Sequence, residues 1–431
     1  MVRSKWFVLL LVLSSFFLII VLLYQVPWVE NRLTWRLDIA QTYIRGVLQP
    51  AGAVPTAVSR KDTTQGSTPT PSLTPEESLT QPSTPDTPTP QDTQDLSTLP
   101  PTDTPTLTLT PTAIPEQVVL TPPPWEKQDW NNCGPAALSM YLNYYGWEGD
   151  QYTIASIIKP KREDRNVNVE ELVHYARNYA GWLETQFRVG GDTDLLREFI
   201  AAGIPIMIEA SFTFEGPYWP NDDLWAAHYL LVTGYDQGRD RFTVQDTFHG
   251  ANQVLSTRTL DEYWQPFNRV YVLSYLPNQE GVVKGILGTS WDEESNRQVA
   301  LEASQAEIDA DPKDGYAWFN LGTNLLYFER YEDAAEAYDQ ARKIGWPQRM
   351  LRYQFGPFFA YFHTNRIDDL LVLTEYALER TYNSEEALLW RGWGRYRQGD
   401  YNGAISDFQA ALEANYLYQD AKYALDFVTG E

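Results

Sequence analysis

The chain has one cysteine, Cys133, set in the segment WEKQDWNNCGPAALSMYLNYYGW. Ala136, Ala137, Met140, Tyr141 and Tyr144 recur at helical spacing and Gly146 supplies a stop, so the pattern predicts a helix over 135–145 with Pro135 in its first turn. Cys133 then heads a helix, where unpaired N–H groups and the positive end of the dipole favour a thiolate. Such a nucleophile needs an imidazole to take its proton and an acid to orient the imidazole. His228 opens the apolar segment HYLLVTGYD, read as a strand over 228–236, and a turn at Gln237 and Gly238 leads into a second strand, RFTVQD, over 241–246. His228 and Asp246 are equidistant from Gln237, so a hairpin centred there places them opposite each other on one face. A further buried strand is expected within 201–212, AAGIPIMIEASF.

Acyl chemistry also requires donors for an oxyanion. The backbone N–H of Cys133 is one, and Gln128, Asn131 and Asn132 offer side-chain amides just upstream, the two asparagines also suiting capping or surface roles. Of the other histidines, His249 lies in the loop TFHGAN and is a rival base, whereas His174 sits in the helical pattern VEELVHYARNYAG without chemical partners. No pair of histidines has metal-ligand spacing, so neither a metal site nor a cofactor is expected. Trp219 and Trp225, just ahead of His228, suit either a substrate cleft or the core.

QDWNNCGPAAL, GIPIMIE, HYLLVTGYD and FTVQDTF, in that order, resemble the papain-like cysteine peptidases that process bacteriocins after double-glycine leaders, and within them the stand-alone branch that lacks a transporter. The resemblance implies a papain-like α+β fold over 125–278, with the cysteine heading a helix packed on an antiparallel sheet. It also implies that Cys133 is the nucleophile, His228 the general base and acid, Asp246 the residue orienting it, and Gln128 the oxyanion donor. Thr247 stands where that family often has proline.

The rest of the chain positions this segment. Trp6 to Tyr24 is a run of uncharged residues whose helix would be about 28 Å long, which suits a retained signal anchor, and 29–48 has the mixed character of a short amphipathic helix beside the membrane. Arg3 and Lys5 place the N-terminus inside, so the expected location is the cell membrane, single-pass, with the C-terminal domains extracytoplasmic. From 50 to 124 the chain is rich in Thr, Pro, Ser and Gln and has no core to fold around; as an extended stalk it could hold the C-terminal part more than about 100 Å from the bilayer. Lys and Arg number 33 against 57 Asp and Glu, a net charge of −24 that argues against a nucleic-acid partner.

Over 290–431 Ala-rich helical patterns take over. Gly322 and Gly392, Ala334 and Ala404, Tyr338 and Phe408, and Ala341 and Ala411 are each 70 residues apart, two units of about 35 with a degenerate unit carrying Ile367, Leu370 and Ala377 between them. This resembles tetratricopeptide repeats and implies an all-α array that binds a polypeptide substrate or protein partner, or serves as a rigid spacer. The whole reads as an anchored cysteine peptidase. A non-catalytic peptide-binding protein on the same fold, or an enzyme that transfers the acyl group to an amine, are the alternatives.

Overall fold

The computed structural model describes residues 114–430, apart from 160, 163, 165 and 214–222, together with 52–57 and, ahead of them, 14–15, 37, 40–41 and 43–48. The run 6–24, apart from Ser14 and Ser15, and most of 50–124 lie outside the described residues. No helix among the described residues is long and apolar enough to cross a membrane.

Seven strands form one antiparallel sheet: β1 (Gln117–Val119), β2 (Glu184–Arg188), β3 (Ile206–Thr213), β4 (Trp225–Asp236), β5 (Arg241–Asp246), β6 (Gly250–Ser256) and β7 (Tyr271–Tyr275). Their order is β2-β7-β3-β4-β5-β6, with β1 paired to β4. On one face, α1 (Cys133–Tyr144), α2 (Gln151–Ile158) and α3 (Val169–Tyr179) pack through Met140, Ile154 and Leu172 against Met207, Tyr229, Leu231 and Val272. On the other, α4 (Thr193–Ala201), α5 (Thr257–Trp264) and α6 (Glu280–Leu287) cover Ile206, Ile208, Leu230, Val232 and Val244. With both faces covered, the central strands carry continuous apolar runs and not an alternation.

Folding begins ahead of residue 125, inside the stretch read as stalk. β1 takes the side of β4 that β3 vacates beyond the Ile206–Val232 pair. Leu120 N–H donates to Thr233 O at 2.8 Å and the Tyr235 hydroxyl to Pro115 O at 2.6 Å. Three strand residues following a proline-rich tract carry too little pattern to announce themselves.

Eight helices, α7 (Glu293–Ala310), α8 (Gly315–Tyr327), α9 (Tyr331–Ile344), α10 (Gly356–His363), α11 (Ile367–Arg380), α12 (Glu385–Arg397), α13 (Tyr401–Ala414) and α14 (Gln419–Thr429), make up the C-terminal part of the described residues. A Cβ at Gly322 on α8 would stand 2.8 Å from the Tyr338 ring on α9, and one at Gly392 on α12 would stand 2.4 Å from the Phe408 ring on α13. The two spaced residue pairs are therefore one contact used twice, an aromatic ring seated on a glycine so that paired helices approach closely. The unit between is degenerate because α10 has only 8 residues, although Leu370 and Ala377 on α11 are buried as its phase requires.

The array packs tightly against the sheet-bearing part. Trp225 stacks on Phe267 with ring centres 5.6 Å apart and lies 5.9 Å from Tyr353 of the array. Asn268 Nδ2 donates to Asn324 Oδ1 at 2.7 Å, Gln354 Nε2 to Pro266 O at 2.7 Å, and Asn166 Nδ2 to Glu386 Oε1 at 3.1 Å. One apolar cluster runs through α1, α3, β4 and the repeat helices.

Candidate active site

Helix α1 starts at Cys133 itself, two residues ahead of the expected proline. Asn132 is its N-cap residue and makes no capping hydrogen bond, so the first-turn N–H groups keep their capacity for an anion. Instead Asn132 Nδ2 donates to Gln151 Oε1 at 2.8 Å, and the Asp129 N–H donates to the same oxygen at 2.7 Å. Gln151 Nε2 donates onward to Glu126 Oε1 at 2.9 Å and Lys127 O at 2.8 Å. The buried Gln151 amide thus fixes the loop that delivers the cysteine.

His228 and Asp246 meet, but not in the expected register. The turn spans Gln237–Arg239 with Asp240 in the left-handed region at φ 49°, which moves the centre of the hairpin beyond Gln237. Continued without interruption, that register would set Asp246 opposite Leu231, whose side chain points to the wrong face. A bulge between Val232 and Gly234 leaves Thr233 out of the ladder, so Asp246 pairs with Leu230 and His228 becomes its diagonal neighbour on the same face. His228 Nε2 lies 2.8 Å from Asp246 Oδ1, with the two residues only 3% and 6% exposed.

Beyond the Leu230–Asp246 pair the β5 side of β4 is open, and the cysteine sulfur takes that place. The sulfur lies near enough to the His228 ring and the Tyr229 backbone N–H for both to lower its pKa, and with His228 Nε2 engaged by Asp246, the ring nitrogen left for the sulfur is Nδ1. Burial pushes the Cys133 thiol up, yet the hydrogen bond and charge of His228, the Tyr229 N–H and the Lys159 ammonium outweigh it and hold the thiol below its ordinary value. Burial likewise depresses His228, but its hydrogen bonds to Asp246 and Cys133 and their charges win and raise it to about 9. Asp246 resists protonation far below the usual carboxylate range: desolvation opposes this, while His228, with help from His249, enforces it. These shifts favour the thiolate–imidazolium form of the Cys133–His228 pair, with Asp246 a carboxylate beside it.

His249 joins the same carboxylate, with Nδ1 2.6 Å from Asp246 Oδ2 and its N–H donating to Oδ1 at 3.0 Å. Its ring is 47% exposed and sits behind the carboxylate, so Asp246 separates it from the sulfur-bonded imidazole. Gln128 is tied to the same end of β5: the Thr247 hydroxyl donates to Gln128 Oε1 at 2.7 Å, and the Gln128 N–H donates to Thr247 O at 2.9 Å. Holding the amide oxygen this way leaves the NH2 group to donate elsewhere. Asn131 adopts the left-handed conformation at φ 52°, and its buried Nδ2 has no partner among the described residues. His174 is exposed on α3, and its ring meets the Asn178 side-chain amide. Trp225 is core at the seam with the repeats, while Trp219 lies outside the described residues. Among the described residues no group of His, Cys, Asp and Glu has metal-site geometry.

A small cavity of about 20 Å³ opens beside Cys133, lined by Asn131, Glu209 and Tyr229 and on one side by Tyr353 from the repeats. Residues 119–272 match the Peptidase_C39 like family. The C39-like segment thus runs from β1 into β7 and holds every residue of the trio. Comparison with solved structures returns a double glycine motif protease from an AMS/PCAT transporter in complex with the leader peptide (17% identity, 37% of this chain and 94% of that one, TM-score 0.28). It also returns the peptidase domain of Streptococcus ComA, a bi-functional ABC transporter (15% identity, 35% of this chain and 96% of that one, TM-score 0.27). YrrB, a TPR protein with an unusual peptide-binding site, is similar at 19% identity over 34% of this chain and 72% of its own (TM-score 0.29). No curated protein matches the chain.

Two contributors were not legible beforehand. Lys159, 6% exposed at the end of α2, donates to Asn131 O at 2.6 Å and places its charge near the sulfur; a single lysine closing the apolar run ASIIK was its only trace. The Tyr229 N–H acts through the backbone, which no residue type reveals.

Proposed function

We propose that this protein is a cysteine peptidase, anchored in the cell membrane through 6–24 with its C39-like segment and repeats on the extracytoplasmic side, and acting on polypeptides. The observation that carries the reading is the His228–Asp246 hydrogen bond, with the Cys133 sulfur beside that imidazole at the head of an uncapped helix. The thiolate attacks a peptide carbonyl carbon, forming a C–S bond while the carbonyl electrons move to oxygen. The Cys133 N–H and the Gln128 NH2 group donate to that oxyanion. His228, already protonated, gives its proton to the departing amine, and the C–N bond breaks. Water then gives a proton to His228 and attacks the thioester, returning the thiolate and releasing the acid. Asp246 keeps Nδ1 of the ring aimed at the sulfur and stabilises the imidazolium throughout.

Gln128→Ala tests this series of steps. It is expected to lower kcat for peptide hydrolysis by roughly 10²- to 10³-fold while leaving the rate of Cys133 alkylation by iodoacetamide near that of the unaltered chain, because alkylation passes through no oxyanion. Equal losses in both assays would mean that Gln128 only shapes the loop.

A further inference from the structure

The segment Gly52 to Ala57, GAVPTA, precedes the Pro/Thr tract, yet it is bound to the repeats at the far end of the chain. Arg342 on α9 donates from Nε to Pro55 O at 2.9 Å. That arginine is 2% exposed, and its Nη1 donates to Asp369 at 2.8 Å and to the Tyr361 hydroxyl at 3.1 Å. A guanidinium fixed in this way by the array turns its Nε–H to a ligand, and a main-chain carbonyl accepts from it. Val54, the residue before, is partly buried against the apolar cluster of the repeats. Upstream, the Arg45 guanidinium lies 4.9 Å from the centre of the Tyr382 ring, a second attachment nine residues from Val54. At the other end of the tract, Pro115 and Glu116 accept hydrogen bonds from Tyr235 and Gln237 beside β1.

We propose that 52–57 is an intramolecular strap docked on the repeat array through Arg342 and Val54, so that the Pro/Thr tract is a loop closed at both ends on the folded body and not a spacer in series with it. The length of that tract then does not set the distance of the body from the membrane. With 6–24 in the bilayer, as the proposed function has it, and Arg45 attached to the repeats, the stand-off is limited to what 25–44 can span, at most about 70 Å fully extended and about 30 Å if helical. The strap also means that the repeats hold a peptide of their own at this position, and an extended segment with a small apolar residue before a carbonyl acceptor is the chemistry a competing partner must reproduce. None of this depends on the peptidase reading.

The test places a photo-cross-linking amino acid at Thr56, an exposed neighbour of the docked pair, in the full chain held in detergent micelles. Adducts are expected within Tyr331–Ile344 and Ile367–Arg380, with the same yield after residues 61–90 are deleted, because a loop closed at both ends transmits no length. Val54→Asp should reduce that yield by at least about tenfold, since a lone carboxylate is not accepted against an apolar cluster. The substitution lies outside every helix and strand, so the fold of the array is not at stake. Adducts scattered over the body, a yield indifferent to Val54→Asp, or a yield that collapses on shortening the tract would each overturn the strap.

Discussion

Cys133→Ala is expected to reduce peptide hydrolysis by roughly 10⁴- to 10⁶-fold, and His228→Ala to reduce it comparably, because residues that act as one unit lose nearly everything when either is removed. The two variants are separated by alkylation, which needs only the sulfur. In His228→Ala burial still pushes the thiol up while the largest lowering influence is gone, leaving only the Tyr229 N–H and the Lys159 charge against it, so the thiol pKa rises. An unperturbed thiol is only a few per cent thiolate at neutral pH, and a buried one less. Labelling of Cys133 by iodoacetamide at pH 7 should therefore slow by about a hundredfold or more in His228→Ala. With one cysteine in the chain, intact-mass measurement reads that rate at Cys133 alone. A His228→Ala protein that labels as fast as the unaltered chain would show that the imidazole does not govern the sulfur.

The second large effect is on stability. Trp225 is 6% exposed, stacks on Phe267 and meets Tyr353 from the repeats. Its carbonyl accepts from Arg349 Nη1 at 3.4 Å, so ring and backbone both lie in the seam. Trp225→Ala should cost about 3–5 kcal/mol, the range for deleting a large aromatic from a packed core. Because one apolar cluster crosses the seam, the loss should appear in both halves together: near-ultraviolet signals from the sheet-bearing part and far-ultraviolet helical signals should shift to the same lower denaturant midpoint. If the repeat helices kept their midpoint while the other signal moved, the two parts would be independent folding units and the Tyr353 wall of the cavity would be incidental.

How far the sequence carried this reading depends on range. Cys133 at a helix start was legible because the periodicity of 136–144 and the proline are local signals, and the aromatic–glycine contacts of the array were legible because they occur twice. The meeting of His228 with Asp246 was legible only in outline: the two belong on one face, but their pairing rests on a longer turn and on a bulge at Thr233. The bulge lies where β4 is paired by β1 on one side and β5 on the other, an arrangement that is tertiary information. For the same reason β1 was absorbed into the stalk, and Lys159, Tyr229 and the strap at 52–57 went unseen. Thr247, a departure from the family pattern when read alone, gains a role once its hydroxyl is seen to hold the Gln128 amide.

The chemistry rests on a protonated His228 holding the Cys133 thiol below its ordinary value. Ultraviolet thiolate absorbance, taken as the difference between the unaltered chain and Cys133→Ser and followed from acid to alkaline pH, measures this directly. Absorbance is expected to rise below the ordinary thiol value and at a lower pH than in His228→Ala, with His228 keeping its proton until pH approaches about 9. Absorbance that emerges only near or above the ordinary thiol value of about 8.5 would contradict it.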